Sequence, residues 1–288
     1  MQRARTIARM GDVLAGNHAV WEIDSDSVLI RFERGIRTPR LWSALGRRHV
    51  PVEALAEVTV TAGKRDTLVL RAVPRPGADP LTEVAAGQLK EALDPYRLVL
   101  PAERAPRARE LAEELAAAVR ATGVSTEPAE RFLVEVPEPP LQLKAHDARA
   151  VFDGHTVSLR WSRTGASSTK WKAGDRHYPL SELCGVTWRS PEAPGGHLRL
   201  LLRDAQDGVA PPPDQDPAAV LFALGHGAVH ESLPFAAAVL AALRTRTPVA
   251  SVPGTSDDRM RHLGELHGAG LLTDAEYAAL RDRFATEA

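Results

Sequence analysis

The chain has 288 residues and a formal net charge of −1. That is room for about two domains, without the basic excess of a general nucleic-acid binder. Its single cysteine, Cys184, excludes a disulfide framework and fits a reducing cytoplasm. Arginines break up residues 1–16, and the nearest approach to the roughly 18 apolar residues of a membrane span is the short, alanine-rich run 236–243. Neither a signal peptide nor a transmembrane segment is expected.

Residues 20–32 read as two short strands around the polar turn Asp24-Ser25-Asp26, with Val28, Ile30 and Phe32 alternating against Leu29, Arg31 and Glu33. An arginine-rich segment, 34–48, leads into a stretch that occurs twice. Arg48, His49, Pro51, Leu55, Val58 and Thr59 return as Arg176, His177, Pro179, Leu183, Val186 and Thr187, all at an offset of 128. The flanks repeat as well, with Asp153-Gly154 in the place of the first turn, so most of the chain is one unit used twice. Residues 67–73 and 197–203 are further strands. The copies then differ: Asp79-Pro80 caps a helical pattern through Leu81, Val84, Ala85, Leu89 and Leu93, whereas the second copy has only a proline-rich loop at 210–217. They meet again at Asp94-Pro95 and Asp216-Pro217, each followed by a last strand. Each closes with an amphipathic helix, marked by Leu111, Leu115 and Val119 and by Phe235, Val239 and Leu243.

Six or seven short strands and one terminal helix per copy predict a mainly β fold with helices (α+β), each copy a bent sheet closed by its helix. The strand meander, the His-x-Pro element of His49-Val50-Pro51 and His177-Tyr178-Pro179 and the closing helix resemble a bacterial pleckstrin-homology-like domain. The doubled form is similar to the actinobacterial family called domain of unknown function 4429. That resemblance implies two tandem barrels, at 11–120 and 143–246, and brings no assigned activity. Between them, 121–142 is a linker, part of which the alternation at Phe132, Leu133, Val134 and Val136 would place as an edge strand. A second linker, 247–256, has no periodicity.

From 257 to 286 the pattern is a helical hairpin. Leu263 and Leu266 share a helix face, Gly268 and Gly270 stop the helix, and Leu272 precedes Thr273-Asp274-Ala275-Glu276, a capping box for a helix bearing Tyr277, Leu280 and Phe284. These residues resemble the short C-terminal domain called SHOCT, which implies oligomerisation or docking. About 30 residues are too few to fold alone, so the apolar faces need a partner: this chain, a second copy or another protein.

Two basic segments are the candidate surface. Residues 31–48 carry a net +5 and 160–176 a net +4, and Trp42 aligns with Trp171. Arg34, Arg37, Arg40, Trp42 and Arg47 in one copy, and Arg163, Lys170, Trp171, Lys172 and Arg176 in the other, form either an anionic-lipid surface or a solvated basic edge whose tryptophan packs inward. His49 and His177 read as turn caps. His226 and His230 have metal-like spacing, but Gly225 and Gly227 argue against a helix there. Cys184 matches Ala56, a small core-like slot. There is no P-loop, dinucleotide-binding glycine pattern, nucleophile elbow or zinc motif. The expectation is a non-enzymatic cytoplasmic protein, free or peripheral at the inner membrane face, without cofactor or metal. The leading reading is a binding scaffold that meets a protein partner or itself through its oligomerisation or docking tail. The alternative is a peripheral binder of anionic membrane lipid through the two basic segments, and a remote alternative is an unrecognised enzyme.

Overall fold

The structure, a computed structural model, describes residues 12–204 and 210–246 together with Tyr277. In the first copy β1 (Asp12–Ala15), β2 (Ala19–Ile23) and β3 (Ser27–Phe32) form an antiparallel meander. After the short helix α1 (Arg40–Leu45), β4 (Arg47–Pro51) returns beside β3. Alternation decides the buried face: Trp21, Ile23, Val28 and Ile30 point inward from adjacent strands. Pro51 then opens a single 3-10 turn, Val52–Ala54, and the chain changes direction into a second, three-stranded sheet of β5 (Leu55–Ala62), β6 (Thr67–Pro74) and β7 (Arg97–Pro101). Between β6 and β7 lies α2 (Pro80–Ala85), and α3 (Ala105–Ala121) follows β7.

The second copy repeats this order. β8 (Leu141–Lys144), β9 (Ala148–Phe152), β10 (Thr156–Trp161), the helix α4 (Ser168–Ala173) and β11 (Arg176–Pro179) make a four-stranded sheet. β12 (Leu183–Arg189), β13 (His197–Leu202) and β14 (Ala219–Leu221) make a three-stranded one, and α5 (Val229–Arg246) closes the chain segment. The repeated stretch does the same work twice. It ends an edge strand with a proline, makes a 3-10 turn, buries Leu55 or Leu183 and then bulges, between Leu55 and Glu57 and between Leu183 and Gly185. The two Asp-Pro corners also match. Arg71 pairs with Asp94 at 3.0 Å and Arg199 with Asp216 at 2.8 Å, and each aspartate accepts an N–H two residues on.

Several expectations need correction. The sheets do not close into barrels. Among the described residues the four- and three-stranded sheets of a copy meet by single backbone bonds, Asn17 N–H to Val99 O at 2.7 Å and His146 N–H to Leu221 O at 2.8 Å, because the proline and 3-10 turn interrupt the ladder between β4 and β5 and between β11 and β12. The helix after Asp79 is shorter than its pattern. Asp79 caps it, accepting from Leu81 N–H and Thr82 N–H, but Ala86 and Gly87 adopt positive φ and end it before Leu89. The linker forms no strand over residues 132–136, and only its last two residues enter β8; Ala129 N–H and Leu133 N–H donate to Pro76 O and Ala78 O, which docks it on the first copy. Cys184 is exposed, not core, because the bulge turns it outward.

The two closing helices differ in kind. α3 is amphipathic and lays Leu111, Leu115 and Val119 on β5. In α5, residues 232–239 are buried all round. Phe235 meets Phe152 edge-on and Ser232 Oγ accepts from Trp188 Nε1 at 3.0 Å, while Arg244 donates to Gly77 O of the first copy and stacks on Phe132 of the linker at 4.4 Å. Alanines 236–238 are buried in the common core. Gln88 completes the seam, donating to Trp188 O and accepting from Ser190 N–H, each at 3.0 Å. The copies therefore share one hydrophobic core inside a unit that ends at Thr245. Of the tail, Tyr277 is described, in helix and half-buried. Leu263, Leu266, Leu272, Leu280 and Phe284, and with them the SHOCT-like hairpin and the 247–256 linker, lie outside the described residues.

Candidate functional site

The basic segments are the β3–β4 and β10–β11 connections, and each contains a six-residue helix that sequence periodicity is too short to reveal. In the first copy Arg34, Arg37, Arg40 and Arg47 are exposed. Ile36, between two of these arginines, is 107 % exposed. Trp42 is not at the surface: it stacks on Phe32 at 5.3 Å between ring centroids and donates its indole N–H to Leu93 O at 3.0 Å. Gly46, at φ 65°, stops α1.

In the second copy Ser167 caps α4 by accepting from Lys170 N–H. Arg163, Lys172 and Arg176 are exposed and Trp171 is 53 % exposed. Lys170 is fully buried. Its ammonium donates to Asp147 Oδ2 at 2.6 Å and to Ala219 O at 2.8 Å, and sits 5.1 Å over the Trp161 ring. Asp147, equally buried, accepts Leu221 N–H with its other oxygen at 2.8 Å. Lys170 stands third in α4 as Trp42 stands third in α1, so these two are structural counterparts. Trp171 lies about 100° further round the helix and faces water. The Phe32–Trp42 stack of one copy has become a Trp161–Lys170 cation–π contact in the other.

Arg48 and Arg176 diverge in the opposite sense. Arg176 is exposed, whereas Arg48 is buried against the insert that only the first copy carries. It donates to Asp79 Oδ1 at 2.6 Å and to the Tyr96 hydroxyl at 3.0 Å, and Tyr96 donates to Asp79 Oδ2 at 2.7 Å. Burial alone would lower the guanidinium's pKa, but Asp79 and Tyr96 outweigh it and hold the group charged. Burial is the largest influence on the Tyr96 phenol and pushes its pKa well above the ordinary value, against the pull of Arg48. These three side chains bond one another, although Arg48 Nε is buried without a partner, and they tie the insert to the sheet.

The corrected site is therefore Arg34, Arg37, Arg40 and Arg47 around Ile36 in one connection, and Arg163, Lys172 and Arg176 around Trp171 in the other; Trp42 and Lys170 drop out of it. Ile36 escaped sequence reading, although an isoleucine in an arginine- and glycine-containing loop without periodicity was its signal. Among the described residues His49 and His177 cap no turn; they occupy exposed positions on edge strands, and His177 pairs with Ser158 Oγ at 2.9 Å. His226 lies in a turn before α5 and His230 in its first turn, so they do not share a helix face. Among the described residues no group of three or more histidines, cysteines or carboxylates is arranged to hold a metal ion, and no helix is long and apolar enough to cross a membrane.

The family described as Domain of unknown function (DUF4429) matches the chain twice, over residues 21–120 and 150–240. Each match falls within one of the two structural copies. Among curated proteins, none matches.

Proposed function

The chain belongs to this family through both of its copies, and from that premise we propose a non-catalytic binding protein whose two modules are pleckstrin-homology-like and rest on an anionic membrane surface through their β3–β4 and β10–β11 connections. Four plus three strands followed by a helix, in each copy, support the kinship. The observation that carries the function is the exposed apolar residue set among arginines or lysines in both connections, Ile36 in one and Trp171 in the other. Water penalises such side chains, whereas the interface of a bilayer takes up the apolar group and its anionic headgroups take up the charge. At about 1 kcal/mol per basic residue near an anionic leaflet, the connections supply roughly 4 and 3 kcal/mol.

Vesicle sedimentation tests this. Binding to phosphatidylserine-containing vesicles is expected at low salt and should fade as salt rises, with none to neutral phosphatidylcholine. Changing Arg34, Arg37, Arg40 and Lys172 to alanine removes about 4 kcal/mol and should weaken binding at least a hundredfold. Unaltered sedimentation of that variant would sink the proposal.

A second reading, assembly through the SHOCT-like tail, is favoured by Tyr277, which is helical where the capping box starts a helix. Light scattering should give the full chain a larger multiple of its monomer mass than a chain ending at Ser256; equal multiples would remove the tail's role.

A further inference from the structure

A groove of about 400 Å³ lies between the copies, beside the basic connection of the first. Arg40 and Leu93 line it from one side, and Pro191, Leu224, Val229 and His230 from the other. Leu224 stands at the tip of the turn joining β14 to α5 and is 101 % exposed. That turn is tightly built: Ala223 and His226 exchange backbone hydrogen bonds of 3.2 and 2.9 Å, and Gly225, at φ 77°, takes a conformation that side chains resist. A leucine on a loose loop folds back onto the protein; this one is held away from it. The one carboxylate lining the groove, Glu192, is paired with Lys90 at 3.1 Å, so Arg40 meets no free negative charge there.

We infer that Leu224 and its groove extend the basic connection of the first copy into one continuous face for anionic phospholipid, with Leu224 inserting between headgroups while Arg40 and its neighbours take the phosphates. This rests on the membrane reading above and adds to it a third anchor, from an element outside both basic segments. The occupant is a bilayer and not a soluble anion, because the two most exposed large apolar side chains among the described residues, Ile36 and Leu224, flank a basic rim. A free phosphate would gain nothing from them. Arg40 ties the two together: it belongs to the connection that displays Ile36 and it lines the groove that Leu224 overlooks.

The test places an environment-sensitive nitrobenzoxadiazole dye at Leu224→Cys in the full chain, with Cys184→Ser to leave a single reactive thiol. Both positions are exposed, so neither change disturbs the core. Vesicles containing roughly 30 mol% phosphatidylserine, enough to give an anionic surface, should shift the dye's emission to the blue and brighten it, and neutral vesicles should not. In unlabelled protein, Leu224→Glu should weaken sedimentation with the same vesicles roughly tenfold or more, since an inserted leucine is replaced by a charge. If the protein sediments but the dye at 224 keeps its aqueous spectrum, this inference is wrong while the basic connections stand. If the protein does not sediment at all, both fail. Inorganic phosphate that displaces the protein as well as lipid does would show an anion site without insertion, and would also overturn it.

Discussion

Lys170→Met is expected to destabilise the protein by about 3–5 kcal/mol, because it strips the countercharge from a carboxylate that has no access to water. Lys170 satisfies Asp147 Oδ2 and Ala219 O at once and rests on the Trp161 ring. After substitution Asp147 keeps only Leu221 N–H, too little to hold a buried negative charge. For a cooperative unit of this size the loss corresponds to a fall in melting temperature of roughly 6–20 °C. Lys172→Met, two residues on and exposed, should change stability by no more than about 0.5 kcal/mol. Urea unfolding followed by tryptophan fluorescence measures both. A cost below about 1 kcal/mol for Lys170→Met would mean the pair is solvated. Combining Lys170→Met with Asp147→Ala should recover much of the single-variant loss, since no charge is then stranded. The practical consequence is that Lys170 must be left intact in any charge-removal variant of the proposed lipid surface; its loss would destabilise the second copy and imitate a binding defect.

What was legible in the sequence follows from which forces act locally. The duplication, the strand order and the Asp-Pro corners were readable because alternation and turn chemistry are properties of neighbouring residues. The closing helices were readable for the same reason, but α5's setting was not. A face of Phe235, Val239 and Leu243 predicts one packing partner, and only the assembled copies show that the alanines opposite are buried too. The site failed at one point in each connection. α1 and α4 span six residues each, less than two turns, so spacing could not say which side faces in. Aligning tryptophan with tryptophan then chose the wrong pair, and Lys170 counted as surface because lysine usually is. The burial of Arg48 is hidden for a related reason: its partners Asp79 and Tyr96 lie 31 and 48 residues away, beyond any local pattern. Ile36 shows the converse, since exposure of an apolar residue is visible only once every neighbour that might have covered it has been placed.

Asp79→Ala should be the most damaging single change in the first copy, costing about 4–6 kcal/mol. The carboxylate has two roles: it caps α2 through Leu81 and Thr82 N–H, worth about 1 kcal/mol, and it neutralises Arg48 in a site closed to solvent, where breaking a buried pair costs about 3–5 kcal/mol. With it gone, the Arg48 guanidinium retains the Tyr96 hydroxyl oxygen as acceptor, and its Nε already has no partner. Asp79→Asn keeps the cap and part of the hydrogen bonding, and should cost about half as much. The same cluster sets an alkaline limit. Because burial raises the Tyr96 pKa in the folded state, the folded chain keeps a proton that the unfolded chain releases near its ordinary pKa of about 10. The contribution is complete below that value and declines as pH climbs beyond it. Tyr96→Phe should flatten this decline between pH 9 and 11 while lowering stability at pH 7, where Asp79 loses one of its donors. Chemical unfolding of wild type, Asp79→Ala, Asp79→Asn and Tyr96→Phe at pH 7, 9 and 10.5 separates the two effects; an Asp79→Ala variant as stable as wild type at pH 7 would show that Arg48 finds water, and the buried triad would have to be given up.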